Sequence, residues 1–169
     1  DANNGGQPPD VITILLVGNE NFTATEADVE ARIDTMFGYL DQLIAAIRVA
    51  ASDAQIGVVP MTPPAASQDA FAASYGTAQT RWQHRRTQHR TTEREYETYG
   101  GREAEGVSLV PAFVALDTVH GYPTVSAPAD VHAQVEIARM SSGLHPSPGG
   151  YYQMGDAFYC WTKSRLALQ

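Results

Sequence analysis

Near the C-terminus a histidine sits on stiffened chain, Gly143-Leu144-His145-Pro146-Ser147-Pro148-Gly149-Gly150-Tyr151-Tyr152. Proline fixes its own φ and drives the residue before it toward extended geometry. His145 is therefore expected on a loop and not inside a helix. Just beyond it, Tyr151, Met154, Phe158 and Trp161 recur at helical spacing and make an apolar stripe. An imidazole on a rigid loop, anchored by a packed helix, is a good mount for a general base. A loop histidine that only satisfies a local hydrogen bond fits the same residues.

A second loop with chemical potential lies near the other end. Val11-Ile12-Thr13-Ile14-Leu15-Leu16-Val17 is a continuous apolar run rich in β-branched residues, bounded by Pro9-Asp10 and by Gly18. Continuous apolarity predicts a strand covered on both faces, as in a parallel sheet flanked by helices. Gly18-Asn19-Glu20-Asn21-Phe22 then forms a loop at the strand's C-terminal edge, where open α/β sheets bind ligands. Taken alone, Asn19 reads as a turn residue closing the strand.

The elements between must bring these loops together. Thr25 reads as an N-cap, and Val29, Ile33, Met36, Leu40, Leu43 and Ile47 repeat at helical steps to about Ala51. Gln55 to Met61 reads as a second strand, broken by Thr62-Pro63-Pro64. From Ser67 a helical period runs through Phe71, Tyr75, Ala78 and Trp82. It continues into a charged stretch holding Arg81, His84, Arg85, Arg86, His89, Arg90, Glu93, Arg94, Glu95 and Glu97. Interleaved signs there favour a solvated face with local ion pairs over a phosphate-binding patch. Val107 to Phe113 reads as a third strand, a loop-rich stretch follows, and a short helix is expected from about Asp130 to Met140. This order predicts an α/β fold with a parallel sheet, a polar leader at 1–10 and a single domain over 11–169. Right-handed crossovers would put all strand C-termini on one edge, so the Asn19 and His145 loops should face one crevice.

Composition narrows the classes. The 169 residues are 43% hydrophobic and 18% charged, enough for one domain with a core. The net charge of −8 gives no attraction to nucleic acid or anionic lipid, and no apolar run is long enough for a membrane span. The single cysteine, Cys160, excludes an internal disulfide framework and reads as a buried small hydrophobe. His84, His89, His120, His132 and His145 show no ligand spacing for a metal, and no cofactor motif is present. Asn21-Phe22-Thr23 has the form of a glycosylation sequon, beside a loop where a sugar would obstruct a site.

Together the two loops resemble the SGNH (GDSL-type) hydrolases, similar to members in bacterial and phage surface proteins. Val17-Gly18-Asn19-Glu20 matches the family's third block. His145-Pro146 with Gly150-Tyr151-Tyr152-Gln153-Met154-Gly155-Asp156-Ala157-Phe158-Tyr159 matches the fifth. Val110-Pro111-Ala112-Phe113 and Leu116 to Pro123 look similar as well, so the likeness covers nearly the whole chain. It implies a three-layer α/β/α, flavodoxin-like fold, of which this chain supplies about the last three strands. It also implies ester hydrolysis by a serine nucleophile, on a substrate such as an O-acetylated carbohydrate, in an extracellular, cell-surface or virion setting. His145 would be the general base, Asn19 an oxyanion donor and Gly18 the point of close backbone approach.

The chain departs from the family in three places. Its Gly-Asp-Ser nucleophile block is absent from the 169 residues, Ser142 stands where an acid commonly precedes the histidine, and Glu20 replaces an aspartate. A sheet ending at the Val11 strand would expose a central apolar edge, an aggregation liability. The expected partner is an N-terminal fragment of the same precursor, cleaved but still bound, which brings the nucleophilic serine. The alternative expectation is an inactive SGNH-like binding or structural module of a larger assembly.

Overall fold

The computed structural model describes residues 5–16, 18–75 and 79–167. Val17 and Ala78, which belong to the expected first strand and second helical run, lie outside the described residues, as does the start of the leader. Three short strands, β1 (Val11–Ile14), β2 (Gln55–Val58) and β3 (Val107–Leu109), form a parallel sheet in the order β1-β2-β3. Ile12 pairs with Ile56, and Ile56 with Val107. The chain is an α/β protein with a three-stranded parallel sheet, as its alternating elements predict.

Both crossovers step in the same direction across the sheet, so their helices fall on one face. The first crossover is α1 (Val29–Ala50). Val29, Ile33, Met36, Phe37, Leu40 and Ile44 are its buried side chains, packed on Ile14, Ile56, Val58 and Val107. Leu43, expected in that stripe, is 37% exposed, because the buried face follows Leu40 to Ile44 to Ile47. The helix also begins later than Thr25. Asp28 turns back to take the Thr25 N–H (2.6 Å) and Oγ1 (2.7 Å), so a turn precedes the first helical residue.

The second crossover is two helices and not one, α2 (Gln68–Tyr75) and α3 (Arg81–Tyr99). Thr80 starts α3 by accepting the Gln83 N–H at its side chain (3.2 Å). Trp82, expected on the apolar face, is 61% exposed. Partly exposed arginines of α3 pair with acids of α1: Arg90 and Arg94 both reach Glu30, and Arg94 also reaches Asp34. Those residues do form a solvated, ion-paired face. His84 and Glu95 do not share it, since both are buried.

The opposite face of the sheet is covered by α5 (Pro148–Leu166), with the short α4 (Ala112–Ala115) beside it. Met154, Ala157, Phe158 and Trp161 point inward at helical spacing, and the Trp161 indole N–H donates to Ser108 Oγ (3.2 Å). Gly57 makes this approach possible, because a Cβ there would lie 2.7 Å from the Trp161 ring. Cys160, expected inside, is exposed on the outer side of α5.

The stretch expected as a helix from Asp130 is instead an antiparallel ribbon of β4 (Thr124–Pro128) and β5 (Glu136–Met140), with Thr124 opposite Met140. Most of its side chains are exposed. A ribbon wet on both faces carries no in-out alternation for a sequence pattern to reveal. The region after β3 differs too, for Pro111 turns the chain into α4 directly.

Candidate functional site

The C-terminal ends of β1 and β2 open onto a cleft of about 330 Å³. Leu15, Leu16, Gly18, Asn19 and Glu20 border it from the segment after β1, and Met61 and Thr62 from the segment after β2. Leu144, His145 and Pro146 close it from the loop before α5, while Tyr151 and Met154 reach it from α5 itself. The two loops singled out in the sequence therefore meet at one cavity.

The His145 loop is fixed by main-chain bonds at several points. Gly143 C=O accepts from the Ala65 N–H (2.9 Å), and Ser141 N–H donates to Pro123 C=O (2.9 Å). Phe71 sits hard against Gly143, where an added Cβ would come within 2.8 Å of its ring. Ser147 is the N-cap of α5, accepting the Gly150 N–H at its hydroxyl (3.2 Å), and Pro148 occupies the first turn. The helix thus begins three residues after His145, earlier than the aromatic stripe alone suggests. Its first turn keeps the loop short.

Ser142 acts on the main chain of the loop. Its Oγ accepts the backbone N–H of His145 (3.1 Å). A serine in this place holds the loop that carries the imidazole. His145 itself is exposed at the cleft. Asn19 is exposed as well, and its carbonyl accepts the Phe22 N–H (3.3 Å), closing the turn after β1. Around Gly18 a Cβ would find open space. The chain itself does not require glycine there, which leaves room on that side for a ligand.

Asn21 cannot carry a sugar in the folded chain. It has no exposed surface, and its Nδ2 donates to Thr91 Oγ1 (3.1 Å) on α3. Thr91 belongs to a buried polar row on α3 that also holds His84, Thr87, Gln88, Glu95 and Tyr99. Two of these grip one residue of the cleft wall. Gln88 Nε2 donates to the Met61 carbonyl (3.1 Å), and Glu95 Oε2 accepts the Met61 N–H (3.4 Å). Burial pushes the Glu95 carboxyl up to about 8, so it is mostly protonated at neutral pH.

His84 is the site residue that the sequence pattern did not disclose. It borders the cleft from α3 while being 1% exposed, and burial pulls its imidazole down to about 4. The signal was there in the spacing of His84, Gln88, Thr91, Glu95 and Tyr99, which share one helix face. Because that face is polar, hydrophobic periodicity passes over it.

Among the described residues no group of three or more histidine, cysteine, aspartate or glutamate side chains is placed to hold a metal ion. No helix of the described residues is long and apolar enough to cross a membrane. Comparison of the chain with family models, curated proteins and solved structures gives no match.

Proposed function

We propose that this chain is the histidine-bearing part of a serine ester hydrolase of the SGNH type, completed by a second polypeptide segment. The observation that carries the reading is the shared cleft of Gly18, Asn19 and His145, at the strand edge where α/β sheets bind ligands. The partner segment adds a strand to the free edge of β1 and brings the Gly-Asp-Ser nucleophile. Supporting it, β1 ends the sheet among the described residues, Thr13 is exposed, and Leu15 and Leu16 are 48% and 60% exposed just beyond it. An apolar strand in that condition is an open template for pairing.

In the proposed reaction, the partner's serine oxygen attacks the ester carbonyl and its proton passes to the His145 imidazole. The Asn19 amide donates to the oxyanion, an uncharged donor with no ionic desolvation to overcome. The tetrahedral intermediate collapses, and the alcohol leaves with the proton from His145. Water then repeats the sequence on the acyl-serine and releases the carboxylic acid. An O-acetyl group on carbohydrate is one substrate of the required kind.

Intact mass spectrometry of the native preparation, run gently and then under denaturing conditions, tests the assembly. The expected result is a second polypeptide, released on denaturation, that carries Gly-Asp-Ser and is labelled by a serine-directed phosphonate. A lone, folded chain without esterase activity would sink the proposal. That outcome favours a second reading, an inactive binding or structural module, which draws on Ser142 standing in place of an acid.

A further inference from the structure

The wall of the cleft contributed by α3 is a buried imidazole with an idle nitrogen. His84 lies between aromatic rings, its centroid 5.8 Å from Phe22 and 5.7 Å from Phe71, and its Nδ1 has no hydrogen-bond partner among the described residues. An unpaired buried polar atom is costly, and a ligand atom that pairs with it relieves that cost. The surrounding lining is chiefly apolar, with Met61, Leu144 and Met154 nearby. Its charge is one-sided: the described lining residues include Glu20 and neither lysine nor arginine. A carboxylate entering would shed its water and meet no strong cation in exchange.

We infer that His84 is a specificity residue: the cleft takes an uncharged ester, seats its acyl chain on Met61, Leu144 and Met154, pairs one polar atom with His84, and refuses the corresponding carboxylate. This rests on reading the cleft as an ester site. It gives the proposed reaction a direction, because hydrolysis turns an accepted neutral group into a rejected anion. Product acid therefore leaves without competing with fresh ester.

The test is binding, read on the ring nitrogens of the ¹⁵N-labelled chain at neutral pH, with methyl butyrate and butyrate as the matched probes. Methyl butyrate should shift the His84 ring signals and bind several-fold more tightly than butyrate. The substitution His84→Phe keeps the aromatic cluster filled and removes the hydrogen bond, so it should weaken ester binding by about three- to tenfold. Amide spectra of the variant check that it folds; if it does not, the wild-type ring shifts decide. Butyrate binding as tightly as the ester, no ester binding, an unmoved His84 ring, or unchanged affinity in a folded His84→Phe would each overturn the assignment. Turnover is not measured, so a missing nucleophile partner would leave these outcomes intact.

Discussion

The carbonyl of Gly121 accepts two hydrogen bonds from Ser147, one from its backbone N–H (2.8 Å) and one from its hydroxyl (3.2 Å). Ser147 also caps α5, so this contact ties the start of the helix and the end of the His145 loop to the loop after α4. Gly150 is what lets the pieces close. A Cβ there would lie 2.1 Å from the Gly121 oxygen, and neither backbone can yield cheaply. Gly150→Ala should therefore cost about 1–3 kcal/mol or more of stability. Gly149→Ala is the control, since its Cβ would meet only Ser147 Oγ at 3.6 Å. Urea midpoints compare the two, and equal midpoints would show that the contact does not constrain the loop.

The buried row on α3 sets a pH dependence of stability. His84 is lowered from 6.5 to about 4, so as pH falls below 6.5 the unfolded chain binds a proton that the folded chain refuses. Stability from this group is complete above 6.5 and falls between 6.5 and about 4. Glu95 is raised from 4.5 to about 8, so its contribution is complete below 4.5 and is lost as pH rises toward 8. The two slopes oppose each other between 4.5 and 6.5, and only Glu95 acts from there to 8. Glu95→Gln should remove the alkaline loss. Its stability relative to wild type should rise by about 3 kcal/mol between pH 5.5 and pH 8, at ~1.4 kcal/mol per pH unit. Urea denaturation at both pH values reads this, and a constant difference would mean that Glu95 titrates normally.

Much of the architecture could be read from the sequence because α/β elements announce themselves through apolar runs and helical stripes. The strands at Val11, Gln55 and Val107 and the long α1 were all legible in this way. So was the meeting of Asn19 with His145, which follows from parallel strands sharing a C-terminal edge. What escaped lacked such a signal. The β4–β5 ribbon is wet on both faces, and the inward face of α3 is built from His84, Gln88, Thr91 and Glu95, whose types read as solvent-facing. Cys160 went the other way, a residue type usually buried that α5 turns outward.

The free edge of β1 should make the isolated chain prone to self-association. Leu16, 60% exposed beside that edge, is the residue to change. Leu16→Lys places a charge where edge pairing would have to desolvate it, a device natural edge strands use. Sedimentation over a concentration series should show association in the wild type and less of it in the variant. A wild-type chain that stays monomeric at high concentration would mean that the edge needs no cover.

His145 and Ser142 should separate chemistry from positioning. His145 is exposed, so His145→Ala should change stability by no more than about 0.5 kcal/mol while abolishing ester turnover in the complete assembly. Ser142→Ala removes the hydroxyl that accepts the His145 backbone N–H and should cost about 0.5–1.5 kcal/mol. Its effect on turnover should be partial, because the imidazole is still present on a loop that Ser147 and Gly143 continue to anchor. Hydrolysis of p-nitrophenyl acetate by the assembly, measured beside thermal melts, checks both. Full activity in His145→Ala would remove it from the reaction, and complete inactivity of a stable Ser142→Ala would assign Ser142 a role in the chemistry itself.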